Sequence, residues 1–255
     1  MRRIKDWVLN TSERLGYPIV PSWLLKRYDQ TRHLRQLFER LKISCVLDIG
    51  ANIGQFHEYL RLFLAYQGRV VSFEPIGELH DRISALASGD PLWTARKIAL
   101  GAADSTVMIN VFSERTLSSI LDRDESSLKA MGYDKYLRET ELARKEPVPL
   151  RRLDAIFDEV VGDPNARVFL KSDTQGYDLN VIRGAASCLD RIAGLQVEVS
   201  IRRIYKGAPS YLEVLTELAG HGFEITGMFP VQRDRQLRVV NFDCVMINSR
   251  VAAQL

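Results

Sequence analysis

Apolar residues recur along this chain in two alternating rhythms. Leu34, Leu37, Phe38 and Leu41 stand at three-to-four spacing among Arg32, Arg35, Glu39 and Arg40, which predicts an amphipathic helix with one packed and one solvated face. Cys45–Ile49 is a short apolar run, followed by Phe56, Tyr59, Leu60, Phe63 and Leu64 at helical spacing. A second run, Arg69–Phe73, ends at Glu74-Pro75, and Leu79, Ile83 and Leu86 mark the next helix. Thr94–Ala99 and Thr106–Phe112 read as extended. Further on, Val168–Ser172 and Leu195–Val199 are strands flanking a stripe of Ile182, Ala185, Leu189 and Ile192. Leu212, Leu215 and Leu218 form a last helix, stopped by Gly220 and Gly222. Phe223–Thr226 and Phe242–Ile247 then close the chain as an antiparallel hairpin.

Strand–helix alternation with nearly continuous apolar strands predicts an α/β fold, a mostly parallel, doubly wound sheet covered on both faces. Residues 1–41 read as a helical N-terminal extension, with Trp7, Val8 and Leu9 ending a short amphipathic stretch and Pro18 and Pro21 as punctuation. Residues 42–255 read as the main domain. Within it, 113–150 is rich in Ser, Asp, Glu, Lys and Arg, and reads as a partly helical insertion of the length that serves as a lid or binding loop.

Composition trims the functions open to such a fold. The 255 residues are 46% apolar and 26% charged, a globular balance. A net charge of +3 carries no argument for a nucleic-acid partner, whose binders concentrate basic charge on one face. No apolar run reaches the ~18 residues of a membrane span. The basic opening Met1-Arg2-Arg3 precedes no long apolar stretch or cleavage site. Cys45, Cys188 and Cys244 lie in apolar segments without paired spacing, as buried free thiols do in a reducing compartment. The chain is therefore expected to be cytoplasmic, with the acceptor triplet Asn10-Thr11-Ser12 unglycosylated.

In a parallel sheet ligands bind beyond the carboxyl ends of the strands, where strand order reverses. Three segments put chemistry there. The first, Asp48-Ile49-Gly50-Ala51-Asn52-Ile53-Gly54, is a strand end, a glycine turn and a helix start, and Glu74 follows Gly54 by 20 residues. A carboxylate so placed takes ribose hydroxyls. Asn52 occupies the place of the middle glycine of the dinucleotide fingerprint, and Asp48 sets negative charge beside the turn. Both features suit a cationic nucleoside without phosphate, such as S-adenosylmethionine, better than a pyrophosphate. A glycine turn that merely packs helix on strand is the plainer alternative.

The second segment, Phe169–Asp178, carries Lys171 and Asp173 on one face of a strand, with Asp173 at the carboxyl edge. Asp173 is a candidate general base, or Asp173 or Thr174 caps the following helix. The third places Glu198 inside an apolar strand, as a cleft residue or as a partner of Lys171. His57 sits near the turn but reads as a surface-helix histidine, and Asp122, Asp124 and Glu125 as a solvated acidic group. A Mg²⁺ ion on Asp173 and Glu198 is conceivable, but no metal is expected. Arg233, Arg235 and Arg238 read as an exposed turn.

These segments resemble the FkbM-type S-adenosylmethionine-dependent methyltransferases. The resemblance runs from about Leu34 to Ser249, and rests on Val46–Gly54, Val71–Pro75, Ala99-Leu100-Gly101, Ser118–Leu121, Leu153-Asp154, Leu170–Asp178 with Arg183-Gly184-Ala185, Glu198 and Ile204–Gly207. The family often has Glu where this chain has Gln175, which makes Gln175 a poor base. The resemblance implies a Rossmann-like class I methyltransferase that methylates a hydroxyl of a sugar, polysaccharide or secondary metabolite. It implies donor contacts through Asp48, Gly50, Ala51, Asn52, Gly54, Glu74, Pro75 and Ala99. Catalysis then falls to Asp173, with Glu198 second and Lys171 keeping Asp173 ionised or binding a substrate oxygen. An NAD-dependent oxidoreductase on the same scaffold, or a non-catalytic module that keeps the fold, are the alternatives.

Overall fold

A computed structural model describes residues 27–252. Trp7–Leu9, Asn10–Ser12, Pro18 and Pro21 lie outside the described residues. A first helix, α1 (Tyr28–Leu41), leads into β1 (Cys45–Ile49), α2 (Gln55–Leu62), β2 (Arg69–Phe73), α3 (Gly77–Ala87) and β3 (Trp93–Arg96). After a middle section come β7 (Val168–Ser172), α7 (Asp178–Gly184), β8 (Ile192–Ser200), α8 (Tyr211–Gly220), β9 (Phe223–Arg233) and β10 (Val239–Asn248). These strands form one sheet in the order β3-β2-β1-β7-β8-β10-β9. β1, β2, β3, β7 and β8 pair in parallel, while β10 runs antiparallel to both β8 and β9. The predicted C-terminal hairpin is thus present, with its second strand inserted between β8 and the edge.

β1 and β7 are buried along their whole length because both faces of the sheet are covered. Successive side chains alternate between two apolar layers. Leu47, Ile49, Leu170 and Val197 meet α6 (Leu153–Val161) and α7 on one side. Val46, Phe169 and Val245 meet Leu34 and Phe38 of α1 on the other. The predicted face of α1 is the one that packs. No helix among the described residues is long and apolar enough to cross a membrane.

The middle section differs from its reading as an insertion. After α4 (Glu125–Ala130) and α5 (Asp134–Glu139), Leu142–Arg151 is a ten-residue strand, β6. It pairs antiparallel with β5 (Ser105–Phe112), and in parallel with β4 (Ala99–Leu100), giving a second sheet in the order β4-β6-β5. Pro147 and Pro149 disguise this strand. They are tolerated because β4 reaches only Leu150 and Arg151, leaving one side of β6 unpaired at both prolines.

Two helical stripes also differ. α8 buries Val214 and Leu218, while Leu212 is 59% exposed; the capping box of Ser210 and Glu213 starts the helix one residue before Leu212. The Ile182–Ile192 stripe breaks after Gly184, continues as a 3₁₀ turn over Ala186–Arg191, and Ile192 opens β8. Gly184 lies against the main chain of Gly101, where an added Cβ would stand 1.9 Å from the Gly101 carbonyl oxygen. Gly184→Ala must push that loop away from β4. The expected loss is roughly 1–3 kcal/mol, read as a lowered Tm; an unchanged Tm would show that the loop yields freely.

Candidate active site

A row of polar side chains crosses the buried sheet at the carboxyl ends of its central strands. Ser72, Asp48, Lys171 and Gln196 are register partners from β2 through β1 and β7 to β8, so they share one face. Asp48 is fully buried. Its Oδ2 accepts from Ser72 Oγ at 3.2 Å, and Ser72 Oγ in turn accepts from Trp93 Nε1 at 3.0 Å. Its Oδ1 lies 3.3 Å from Lys171 Nζ, which is 3.6 Å from Asp173 Oδ2 and 3.4 Å from the Gly50 carbonyl oxygen. Burial alone would lower the Lys171 pKa, but Asp48 and Asp173 together outweigh it and hold the ammonium charged.

The turn after β1 carries the row into a cavity of about 360 Å³. Gly50 and Ala51 donate to the Phe73 carbonyl at the end of β2, and Asp173 N donates to Ile49 O. Gly50 has φ 77°, and a Cβ there would stand 2.1 Å from the Asp173 carbonyl oxygen, so only glycine lets the two strand ends approach. Glu74 then fixes the turn from the other side. Its Oε2 accepts from Asn52 N at 2.8 Å and its Oε1 from Ile76 N at 2.9 Å. Burial pushes the Glu74 carboxyl up to about 7, against the pull of those N–H groups.

That shift has a sign. A carboxyl that holds its proton more tightly folded than unfolded makes the folded state less stable as pH rises. Between its ordinary 4.5 and about 7, Glu74 alone is worth at most roughly 3 kcal/mol. The Tm of the donor-free protein should therefore fall over this window, and fall less in Glu74→Gln; equal slopes would contradict the assignment.

Gly50, Ala51, Asn52, Glu74, Pro75, Ala99, Lys171, Asp173 and Glu198 line the cavity. Asp48 and Gly54 stand behind its wall. Asp48, expected to contact the donor, is fully buried and faces Lys171 Nζ at 3.3 Å. Gly54, with φ 86°, begins α2 against Trp93, a packing role. Asp173 does not cap α7, which has no side-chain cap. Instead Asp178 Oδ1 closes the loop by accepting from Ser172 Oγ at 2.6 Å and Thr174 N at 3.0 Å. Glu198 is a cleft residue and not a partner of Lys171; its Oε1 accepts from Asn241 Nδ2 at 2.8 Å. His57 stacks on Trp93 with ring centroids 3.7 Å apart and bonds Asp90, a structural role. Asp124 caps α4 through Ser127 N. Arg238 pairs with Asp234, and Arg233 donates to Leu237 O. Among the described residues, no three His, Cys, Asp or Glu side chains are arranged to hold a metal ion.

Several contacts at the site, and Asp243, escaped sequence reasoning. Gln175, at φ 54°, donates from Nε2 to Asp173 Oδ1 at 2.8 Å, and the Tyr205 hydroxyl stands between Gln175 Oε1 at 2.9 Å and the Leu117 carbonyl at 3.0 Å, able to donate to either. Ser119 Oγ donates to Gln175 O at 2.8 Å. The segment around residues 115–120 is thereby tied to the Asp173 loop. Asp243, on β10, lines the cavity opposite Glu198 in register. The signal for it was the one used for Glu198: an acid interrupting an apolar strand.

Strand order, glycine turn and acid-lined cavity make a Rossmann-like fold with its cavity at the carboxyl ends of the parallel strands. The chain belongs to the FkbM methyltransferase family, whose methyltransferase FkbM domain it matches over residues 48–225. No curated protein matches it. Among solved structures it resembles methyltransferase FkbM from Methylobacillus flagellatus KT, with TM-score 0.51 and 14% identity, covering 80% of this chain. It spans 43% of that protein's length. Fibrillarin from Aeropyrum pernix with natively bound S-adenosyl-L-methionine is a more distant likeness, with TM-score 0.45 and 9% identity over 82% of this chain and 68% of the other. The family assignment replaces the oxidoreductase alternative, and S-adenosylmethionine is the cofactor. The residues fit it. Glu74 presents a carboxylate held by two N–H groups, with lone pairs left for ribose hydroxyls, and the acids around the turn suit a sulfonium and repel a pyrophosphate.

Proposed function

We propose that this chain is an O-methyltransferase acting on a hydroxyl of a sugar, polysaccharide or secondary metabolite. The observation that carries this reading is the Asp173 carboxylate. It lines the cavity just past the glycine turn, tethered on one oxygen by Gln175 and near Lys171 on the other. S-adenosylmethionine supplies a methyl group on a sulfonium, a leaving group that needs no acid. The protein has two tasks left: to orient the acceptor oxygen and to take its proton.

Gly50, Ala51, Asn52, Glu74, Pro75 and Ala99 hold the donor. Asp173 accepts the acceptor's proton, and Lys171, held on Asp48, stands 3.6 Å from Asp173 Oδ2, within reach of a substrate oxygen. Glu198 is second in line. The segment 115–120 faces the acceptor, with Arg115, Thr116, Ser118, Ser119 and Ile120 lining the cavity. Three buried free cysteines suit a reducing, cytoplasmic setting.

The test is transfer. Incubation with methyl-labelled S-adenosylmethionine and glycan or metabolite acceptors should place label on oxygen, located by mass spectrometry of the fragments. Label on nitrogen or carbon would contradict O-methylation, and no transfer to any acceptor while the donor binds would favour the non-catalytic module.

A further inference from the structure

The far side of the cavity, beyond the Asp173 loop, holds groups that a base at Asp173 leaves without a role. Glu198 of β8 and Asp243 of β10 are register partners on adjacent antiparallel strands, so their Cβ atoms are roughly 5 Å apart on one face. One oxygen of each is held by an amide: Asn241 donates to Glu198 Oε1, and Gln30 of α1 donates to Asp243 Oδ2, both at 2.8 Å. The second oxygens have no hydrogen bond among the described residues. Beside them Gln196, only 5% exposed and also lining the cavity, has an Oε1 that is buried without a partner among the described residues.

Three acceptors, two of them carboxylate oxygens, therefore meet at one place. Lys171, the nearest cation, is committed to Asp48 and Asp173, and Arg27 stands exposed at the cavity wall. A neutral hydroxyl donates one hydrogen and would leave acceptors unmet. A primary ammonium donates three and supplies the missing positive charge. An unpaired buried acceptor is costly, so a ligand carrying that group is favoured over its hydroxyl counterpart.

We infer that the pocket floor formed by Gln196, Glu198 and Asp243 is an ammonium subsite, and that the methyl acceptor is an amine-bearing polyol such as an amino sugar. This rests on the donor reading above, with S-adenosylmethionine over β2, β1 and β7. Strands lie ~4.8 Å apart, so Asp243 is roughly 19 Å across the sheet from the end of β2, beyond the nucleoside. The ammonium then lies one to two strand spacings from Asp173, roughly 5–10 Å, the distance across or beyond a sugar ring and not between neighbouring carbons. Glu198 on this assignment recognises substrate.

Electrostatics agrees with the geometry. Burial raises Asp243 to about 6 and Glu198 well above the ordinary carboxylate range; Asp173 adds repulsion at both, and Asp178 at Glu198. Gln30, Lys171 and Arg27 pull Asp243 back, and Asn241 pulls Glu198 back. A bound cation relieves this, so amine binding strengthens and releases protons as pH rises from about 5 to 7.

The experiment is thermal shift of the full chain saturated with S-adenosylhomocysteine, using glucosamine and galactosamine against glucose and N-acetylglucosamine. The amines should raise Tm and the neutral sugars should not, with the amine effect larger at pH 7 than at pH 5. Glu198→Gln combined with Asp243→Asn should abolish the amine shift and keep the S-adenosylhomocysteine shift. Equal shifts from amine and neutral sugars, no shift from any amine, or an amine shift surviving the double substitution would overturn the subsite. Failure of S-adenosylhomocysteine itself to shift the wild type would instead overturn the donor reading.

Discussion

Asp173→Asn is expected to lower kcat by about 10²–10⁴, the usual contribution of a positioned general base, while the dissociation constant for S-adenosylmethionine changes by no more than about twofold. The geometry explains why the two effects separate. An asparagine oxygen still accepts from Gln175 Nε2, and Lys171 keeps Asp48 at 3.3 Å, so the cavity wall and the Gly50 turn stay in place. The acceptor's proton then has no carboxylate to receive it. Single-turnover kinetics with calorimetric donor titration checks both halves. Full activity in the variant would move the base to another group, and lost donor binding would make Asp173 a cofactor ligand.

Glu74→Ala should have the opposite profile. The carboxylate accepts from Asn52 N and Ile76 N, and the proposed ribose contacts use its remaining lone pairs. Removing it strips two backbone N–H groups of their partner and removes the sugar anchor. Charged hydrogen bonds are worth about 1.5–3 kcal/mol each, so donor affinity should fall by about 10²-fold or more. Donor-free stability at pH 8 should not fall in parallel, because a buried carboxyl pushed up to about 7 opposes folding once ionised. Calorimetry and a melting curve on the same sample separate the two effects. Unchanged donor affinity would remove Glu74 from the site.

Much of this was legible in the chain. Parallel strands buried on both faces must be nearly all apolar, so β1, β2, β7 and β8 announce themselves, and a turn joining a strand to a helix exposes its glycines in the same reading. Polar residues that break or end an apolar strand are legible for the same reason, as with Asp173 and Glu198, both of which line the cavity. Asp243 obeys that rule and needed only its even application.

The rest depends on contacts that a linear pattern does not carry. Asp48 resembles a ligand-facing acid until Lys171, 123 residues later, is found covering it. The pairing of Tyr205 with Gln175 and Leu117 joins three distant segments through side-chain hydrogen bonds. β6 was concealed by Pro147 and Pro149, whose acceptability depends on how short the neighbouring strand β4 is. Gly184 has no room for a Cβ because the Gly101 main chain, just after β4, lies against it.

A crystal structure of the full chain with S-adenosylhomocysteine bound tests the account most directly. The ribose hydroxyls should lie on the Glu74 carboxylate, the nucleoside along the Gly50–Asn52 turn, and the thioether sulfur should point toward Asp173. A ligand lying elsewhere, or a sulfur turned away from Asp173 with Glu74 unengaged, would contradict it.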